Sequence, residues 1–330
     1  MKLQRRQVLQ TATALGASLA APWVHAQQRE KVKLSWLPIM QTTALYVAVQ
    51  DQMFERAGLD VQLVQFQNPN QIIDSLVANQ ADAGAPGAAA GITMIAEARY
   101  PGTFKVFGLQ GGGLKVNRVN DALIVKNGSA IKSFKDLKGK SLGHLPGIQW
   151  RTISRHMLRA NGLDPDKDVR LQEMAVGLQV QAVVAGNVDA TLSLEPVGSI
   201  AVASGEATRA MVNPCASVIA DPFYSGVSVL TTKFIKERPK VARTLVRVLD
   251  EATRVANTEF ERVRPYFAKY TAIKGDSVRI IAQPYLRAWN ELSDTDVKSY
   301  QALVDVFHKE GVLKEPMDVR SVLLKPSDLA

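Results

Sequence analysis

The sequence of 330 residues predicts an α/β protein of two lobes, each a doubly wound and mostly parallel sheet, followed by a helical C-terminal tail. Three observations support this prediction. Strand and helix patterns alternate in residues 32–85 and again in residues 141–194, and sequence from the first of these regions recurs in the second. After residue 230 the helical pattern dominates. Alternating strands and helices are typical of parallel sheets covered on both faces.

The recurrence is an internal repeat with an offset of about 107 residues. The stretch Phe54–Leu63 has a counterpart in Leu158–Asp164, which resumes at Asp168–Leu171 after a short insert. In addition, Val77–Ala83 and Val184–Ala190 agree at four of seven positions. The period is too long for a solenoid, so it indicates two related halves of one molecule.

Each half divides into the order strand, helix, strand, helix, strand, because short β-rich runs alternate with apolar residues at helical spacing. The first half has strands at Val32–Trp36, Val61–Phe66 and Asp82–Ala85, with helical stripes at 46–57, which Gly58 closes, and at 72–77. The second half has strands at Ser141–Leu145, Val169–Gln172 and Ala190–Leu194, with helices around 153–160 and 180–184.

The tail is predicted to be helical and to pack back on the first lobe. Pro239 suits a first helical turn, and Ser293 with Asp296 forms a capping-box pattern before a second helix. The strands Asp121–Val125 and Ser225–Thr231 are the expected crossings between the lobes. We therefore expect residues 27–120 and 226–330 to form lobe 1, residues 121–225 to form lobe 2, and a hinge near 117–123 and 223–229.

The first 26 residues predict an export signal, because Lys2, Arg5 and Arg6 precede a mildly apolar run and a small-residue cleavage site. A twin-arginine (Tat) signal and an ordinary Sec signal both remain open, and either would place the protein in the periplasm. Cleavage would lower the formal charge from +9 to +6. Basic residues are interspersed with acids, so we expect no nucleic-acid partner and at most a mild attraction for anions.

Ligands of open α/β sheets bind at the carboxyl ends of the strands, which directs attention to the loops 37–43, 84–87, 145–150 and 193–196. These loops contain no Lys or Arg, and the chain has no phosphate-binding glycine motif. Amides, hydroxyls, backbone N–H groups and apolar walls would suit a small organic molecule with one polar end. The candidate ligand-binding residues are Trp36, Gln41, Thr42, Thr43, Pro86, Gly87, Gly147, Ile148, Gln149, Trp150, Glu195 and Tyr224.

Two of these candidates allow two interpretations. Glu195 could accept a hydrogen bond from an amine or ring N–H of the ligand, or it could be a solvated loop charge. Tyr224 could reach the cleft, or it could pack in the core.

Catalysis has little support in the sequence, so we expect no enzyme, no metal and no cofactor. The four histidines form no ligand-spaced pair, and no nucleophile-elbow motif occurs. The single cysteine, Cys215, precludes an internal disulfide and is expected to be an inert buried thiol.

Three stretches, Tyr46–Val61, Ser133–Lys140 and Ala185–Pro196, resemble the periplasmic substrate-binding proteins of ABC importers. Within that family, the chain resembles the branch that serves sulfonates, taurine, nitrate and the thiamine pyrimidine precursor. The resemblance implies a type II, venus-flytrap fold that closes on a small-molecule ligand. It also implies delivery of the ligand to a membrane permease driven by a cytoplasmic ATPase. We expect a monomer.

The resemblance leaves the solute open. A small organic anion, sulfonate-like or a related nitrogen or sulfur compound, agrees with the charge and the loops. A thiamine pyrimidine precursor or another heteroaromatic is the alternative, since Trp36–Pro38 and Ala44–Ala48 are similar to pyrimidine-precursor members, although Ile39–Thr43 replaces the Asn and His of those members. An exported enzyme or sensory module on the same scaffold is a third possibility. The pyrimidine synthases of this fold need a cysteine-rich motif, which one cysteine cannot supply.

Overall fold

The computed structural model describes residues 29–329, so the predicted export signal lies outside the described residues. The chain forms two sheets, each the centre of one lobe. The first sheet contains β1 (Glu30–Trp36), β2 (Leu59–Gln65), β3 (Ala83–Ala89), β4 (Phe104–Gly112), β10 (Phe223–Thr231) and β11 (Tyr285–Ala288). The second contains β5 (Asp121–Lys126), β6 (Lys140–His144), β7 (Val169–Glu173), β8 (Ala190–Leu194) and β9 (Ala207–Val212).

The two sheets share one strand order, as the sequence repeat predicts. The first runs β2-β1-β3-β10-β4-β11 and the second runs β7-β6-β8-β5-β9. In each lobe the first strand pairs in parallel with the next two, and the third then pairs with a strand that arrives from the other lobe.

The sheets are mixed rather than mostly parallel, which corrects that part of the prediction. The strand β10 is antiparallel to both β3 and β4, and β5 is antiparallel to both β8 and β9. Each crossing strand arrives from the other lobe and not through a βα crossover within its own sheet, so it can run antiparallel to its neighbours.

Four helices belong to the first lobe's βα units: α1 (Thr43–Gln50), α2 (Met53–Arg56), α3 (Pro69–Val77) and α4 (Ala90–Arg99). The predicted stripe 46–57 is broken at Gln52, which has a left-handed φ of 52° and separates α1 from α2. The second lobe has α5 (Ile148–Ala160), α6 (Gln179–Val184), α7 (Val197–Ser204) and α8 (Pro214–Val218).

The C-terminal region is mainly helical and returns to the first lobe. It contains α9 (Thr232–Glu237), α10 (Pro239–Thr258), α11 (Phe260–Val263), α12 (Phe267–Tyr270) and α13 (Asp294–Lys309). The helix α10 packs against α1 and β11, and α13 packs against β10 and α4. Both hydrogen bonds of the predicted capping box between Ser293 and Asp296 are present at the start of α13.

The two segments that connect the lobes, residues 113–120 and 213–222, are hydrogen-bonded to each other. Asn120 N donates to the Asn213 side-chain oxygen at 2.8 Å, and Leu114 N donates to an Asp221 carboxylate oxygen at 2.9 Å. The strands β4 and β10, which flank these segments, also lie close together. A Cβ on Gly111 would lie 1.8 Å from the backbone oxygen of Phe223, so no side chain fits there.

The largest apolar cluster spans both lobes. It includes Leu109 and Phe307 from the first lobe together with Leu145 and Trp150 from the second. The lobes therefore share an apolar contact on the side of α4, α5 and α13. Within residues 29–329, no helix is both long and apolar enough to cross a bilayer.

Candidate functional site

The segments that follow β1, β3, β6 and β8 meet at the boundary between the lobes, as the fold class predicts. Here the loop after β1 and the loop after β8 touch directly, because Met40 N donates a 3.0 Å hydrogen bond to the backbone oxygen of Glu195.

Gln41 links the loop after β1 to the first connecting segment and to β10. Its side-chain nitrogen donates to the Asn120 side-chain oxygen and to the Ser225 hydroxyl, both at 2.7 Å. Gln41 is buried, so its amide nitrogen is committed to the protein.

Thr42, Thr43 and Gly87 build the loop rather than an open surface. The Thr42 hydroxyl donates to the backbone oxygen of Leu37 at 2.8 Å, and the Thr43 hydroxyl donates to that of Met40. Gly87 has a φ of +92°, and a Cβ on it would lie 2.9 Å from the Thr42 hydroxyl oxygen. Gly87 and the buried Pro86 lie within β3, which continues through Ala89 and is irregular at this point, rather than in the predicted loop.

Gln149 makes the corresponding link from the second lobe. Its side-chain oxygen accepts a 2.7 Å hydrogen bond from Gly91 N, and its side-chain nitrogen donates to the backbone oxygen of Ser225 at 2.8 Å. Ser225 thus accepts hydrogen bonds from both lobes, with its hydroxyl from Gln41 and with its backbone oxygen from Gln149. This meeting of the two predicted glutamines is the main feature that the structure brings together.

The residues around Gln149 also lie at the contact between the lobes. Gly147 has a φ of +99°, and a Cβ on it would lie 2.7 Å from the side-chain oxygen of Asn70 in α3. That Asn70 oxygen is buried without a hydrogen-bond partner. Trp150 is buried in the shared core, and Ile148 packs against it.

Glu195 is buried and fully engaged within its own lobe. Its carboxylate accepts hydrogen bonds from Ser199 N at 3.0 Å, from the Ser199 hydroxyl at 2.8 Å and from Arg209 Nε at 2.9 Å. The interpretation of Glu195 as a solvated charge is therefore wrong. Arg209 is not among the predicted site residues, although a buried carboxylate requires a partner of this kind.

The same network touches the first lobe through Ser199. The Ser199 hydroxyl lies 3.3 Å from the backbone oxygen of Ile280 and 3.3 Å from the backbone nitrogen of Ala282. Contacts with the first lobe are thus made by the backbone of Glu195 and by Ser199, the residue to which the Glu195 carboxylate is hydrogen-bonded.

Tyr224 and Trp36 lie within the first lobe's packing. The Tyr224 hydroxyl donates to Asp296, whose other carboxylate oxygen is 3.1 Å from Arg287 Nε. Burial, followed by the Asp296 hydrogen bond, raises the pKa of Tyr224. Trp36 packs edge-on against Tyr46 and Tyr270, with ring centroids 6.0 and 5.9 Å away.

A cavity of about 760 Å³ opens beside this contact, between the two lobes. The first lobe contributes Pro38, Gln65, Gln67, Lys269, Tyr270 and Thr271 to its wall. The second lobe contributes the loop before α6 and the helices α6 and α7, including Val176, Val180, Gln181, Val184, Pro196 and Ile200. None of the twelve predicted site residues lines it, although Pro38 and Pro196 belong to two of the four predicted loops.

A smaller cavity of about 320 Å³ occupies the matching position in the first lobe. It lies between α3 and α4, the counterparts of α6 and α7, and Ile148 lines it from the second lobe. The larger cavity is distinguished by the segment 269–272, which adds a wall from the tail.

Two observations concern the potentially reactive side chains of the described residues. Among residues 29–329, no three His, Cys, Asp or Glu side chains are grouped so that they could hold a metal ion. Cys215 is fully buried, and burial, together with the nearby Asp121, raises the pKa of its thiol well above the usual range. A buried thiol of this kind is a poor nucleophile.

The family profile described as "NMT1/THI5 like" matches residues 39–259, more than half of the chain. A protein of Bacillus subtilis (strain 168) named "Putative aliphatic sulfonates-binding protein" is 24% identical over 273 residues, which cover 83% of this chain and 79% of that protein.

Solved structures confirm the predicted two-lobed periplasmic binding fold. The alkanesulfonate-binding protein SsuA from Xanthomonas axonopodis pv. citri, bound to MOPS, has a TM-score of 0.72 at 17% identity, covering 90% of this chain and 99% of that chain. The periplasmic nitrate-binding protein NrtA from Synechocystis PCC 6803 has a TM-score of 0.71 at 14% identity, covering 92% and 87%. The desulfurization enzyme DSZB is similar as well, with a TM-score of 0.66 at 16% identity, covering 91% and 98%.

Proposed function

We propose that this chain, which belongs to the NMT1/THI5-like family, is the periplasmic solute-binding protein of an ABC importer. It delivers a small organic anion, sulfonate-like or a related nitrogen or sulfur compound, to the permease and ATPase of that importer. The observation that carries this proposal is the cavity of about 760 Å³, whose walls come from both lobes. A solute in such a cavity contacts both lobes, so its binding favours the closed arrangement.

In this proposal the hinge lies in and beside the two connecting segments, where β5 and β10 begin. We place lobe 1 at residues 27–120 and 226–330, lobe 2 at residues 121–225, and the hinge near 117–123 and 223–229. The hydrogen bonds of Gln41 and Gln149 to Ser225 would be the contacts that hold the closed lobes together. The solute itself would occupy the neighbouring cavity.

The protein acts outside the cytoplasm and as a monomer in this account. Export would use the signal in residues 1–26, by the Tat or the Sec route. The family match and the fold shared with periplasmic binding proteins support this location.

A heteroaromatic solute is the second candidate. The ring of Tyr270 and the amides of Gln65, Gln67 and Gln181 line the cavity, and these groups suit a flat molecule with ring nitrogens. An exported enzyme has weaker support, because Cys215 is buried and the Glu195 carboxylate is engaged with Arg209 and Ser199.

A thermal-shift panel of alkanesulfonates, MOPS, taurine, nitrate, carboxylates and aminopyrimidines tests the proposal. A solute at a hundred times its Kd adds about 2.7 kcal/mol to the free energy of unfolding. At least one compound should raise Tm, and mass spectrometry should recover it unchanged. Chemical turnover of a bound compound would favour the enzyme instead, and no shift with any compound would count against solute binding.

A further inference from the structure

We infer, on the basis of the proposed solute-binding role, that the protein selects a solute with a bulky apolar body and at most one negative charge. It does not select a compact anion. This inference concerns the cavity between the lobes.

The cavity is large enough for a molecule much bigger than a compact ion. At about 760 Å³ it falls in the range of pockets that enclose molecules of drug size. A compact ion such as nitrate or sulfate would leave most of this volume to water, and would contact only one wall.

Much of the cavity wall is apolar. The side that α6 and α7 form presents Val180, Val184, Val197 and Ile200, while Pro38 and Tyr270 lie on the first lobe's side. A solute gains binding free energy here in proportion to the apolar area that it buries.

The cavity wall carries no net formal charge. Lys269 and Glu206 are the charged residues that line the cavity, so their formal charges cancel. The remaining polar side chains include three neutral glutamines, Gln65, Gln67 and Gln181, which can donate or accept hydrogen bonds. Such a wall offers no excess of cations to hold a dianion.

Backbone N–H groups near the starts of α4 and α7 are already engaged by protein acceptors. A compact anion would bind to exposed backbone N–H groups of this kind. However, Gly91 N at the start of α4 already donates to Gln149, and Ser199 N in α7 donates to the Glu195 carboxylate. Protein groups thus occupy these two N–H groups, and one of the acceptors is itself an anion.

Isothermal titration of the full mature protein with straight-chain monocarboxylates and monosulfonates of two to eight carbons tests the inference. Affinity should rise about fourfold for each added methylene until the cavity is filled. Octanoate should bind more tightly than octanedioate, and nitrate and sulfate should bind at least a hundredfold more weakly than the longest monoanions. Equal affinity along both series, or tightest binding by nitrate or sulfate, would overturn the inference.

A pair of variants assigns the effect to the cavity. Val184→Asn places a polar group on the wall and should flatten the dependence on chain length, whereas Val202→Asn changes an exposed residue of α7 and should leave it intact. An unchanged slope in Val184→Asn, with native unfolding, would contradict the assignment.

Native mass spectrometry of the purified protein separates the two levels of the account. A co-purified bulky apolar solute supports the inference even if no panel member binds. A co-purified compact anion overturns the inference and leaves solute binding intact. Absence of any solute, together with no binding in the panel, contradicts both.

Discussion

The side-chain oxygen of Gln149 in the second lobe accepts a 2.7 Å hydrogen bond from the backbone N–H of Gly91 in the first. Gln149 is buried, and its amide nitrogen is engaged with the backbone oxygen of Ser225. A single side chain therefore satisfies a donor at the start of α4 and an acceptor on β10. Close packing accompanies these bonds, since a Cβ on Gly91 would lie 2.3 Å from the Phe307 ring.

Replacing Gln149 by Ala should lower the free energy of unfolding by about 1 to 3 kcal/mol, because Gly91 N–H would lose its partner in a buried place. Urea unfolding measures the change. Gln80→Ala removes an exposed glutamine side chain and should stay within about 0.5 kcal/mol of the parent protein. Equal effects of the two substitutions would contradict the proposed importance of this contact.

Glu195 and Arg209 should be energetically coupled. Glu195→Ala leaves Arg209 without its carboxylate partner and should cost about 3 kcal/mol of stability, whereas adding Arg209→Ala should cost less than the sum of the single changes. A coupling energy of about 1 kcal/mol or more is expected from the double-mutant cycle.

The exposed pair Lys233 and Glu237, separated by 3.9 Å, provides the control for this cycle and should couple by only a few tenths of a kcal/mol. Additive effects at Glu195 and Arg209 would show that the buried pair does not organise its loop.

Gly87→Ala should destabilise the protein more than Gly128→Ala. Both glycines have positive φ, at +92° and +80°, so both substitutions carry a backbone penalty. At Gly128 a Cβ meets nothing within 4 Å, whereas at Gly87 it would lie 2.9 Å from the Thr42 hydroxyl oxygen. We expect a difference of about 1 kcal/mol or more in thermal or urea unfolding. Equal losses would mean that the loop around Thr42 yields freely.

Asp250→Asn should change the pH dependence of stability. Burial raises the pKa of Asp250 to about 6 from 3.8 in the unfolded chain, while Trp289 N donates to its carboxylate at 3.0 Å. The folded state therefore retains a proton that the unfolded state releases, so stability falls as pH rises from about 4 to 6. The fall contributed by this group is about 2 to 3 kcal/mol.

The Asn variant keeps the acceptor oxygen and cannot ionise, so its unfolding free energy should lack this fall and exceed that of the parent at pH 7. Urea unfolding at pH 4, 5, 6 and 7 measures both proteins. Asp276→Asn, at a side chain that is 91% exposed, is the control and should follow the parent. A parallel pH profile for Asp250→Asn would refute the raised pKa.

The order of strands and helices in both halves could be predicted from the sequence, because apolar periodicity is a local signal and the repeat supplied it twice. The capping box at Ser293 is local in the same way. By contrast, β4, β9 and β11 were missed. The strand β4 ends in glycines that favour strands poorly, but a side chain at Gly111 would collide with Phe223, and that requirement comes from a distant part of the chain.

The candidate site could be predicted only as far as its loops. The partner of Gln41 is 79 residues away at Asn120, and that of Gln149 is 58 residues away at Gly91, so no local pattern shows where either amide points. The segment 269–272 of the tail forms part of the cavity wall. No sequence pattern in the tail indicates that this segment lies between the lobes.

The most direct test of the central claim, that the solute binds in the cavity between the lobes, compares two substitutions in α7. Ile200 lines the cavity, whereas Val202 is exposed two residues away. Isothermal titration with the tightest compound of the panel should show at least a tenfold loss of affinity for Ile200→Trp and parent affinity for Val202→Trp. Parent affinity for Ile200→Trp, with its native fold intact, would contradict the claim.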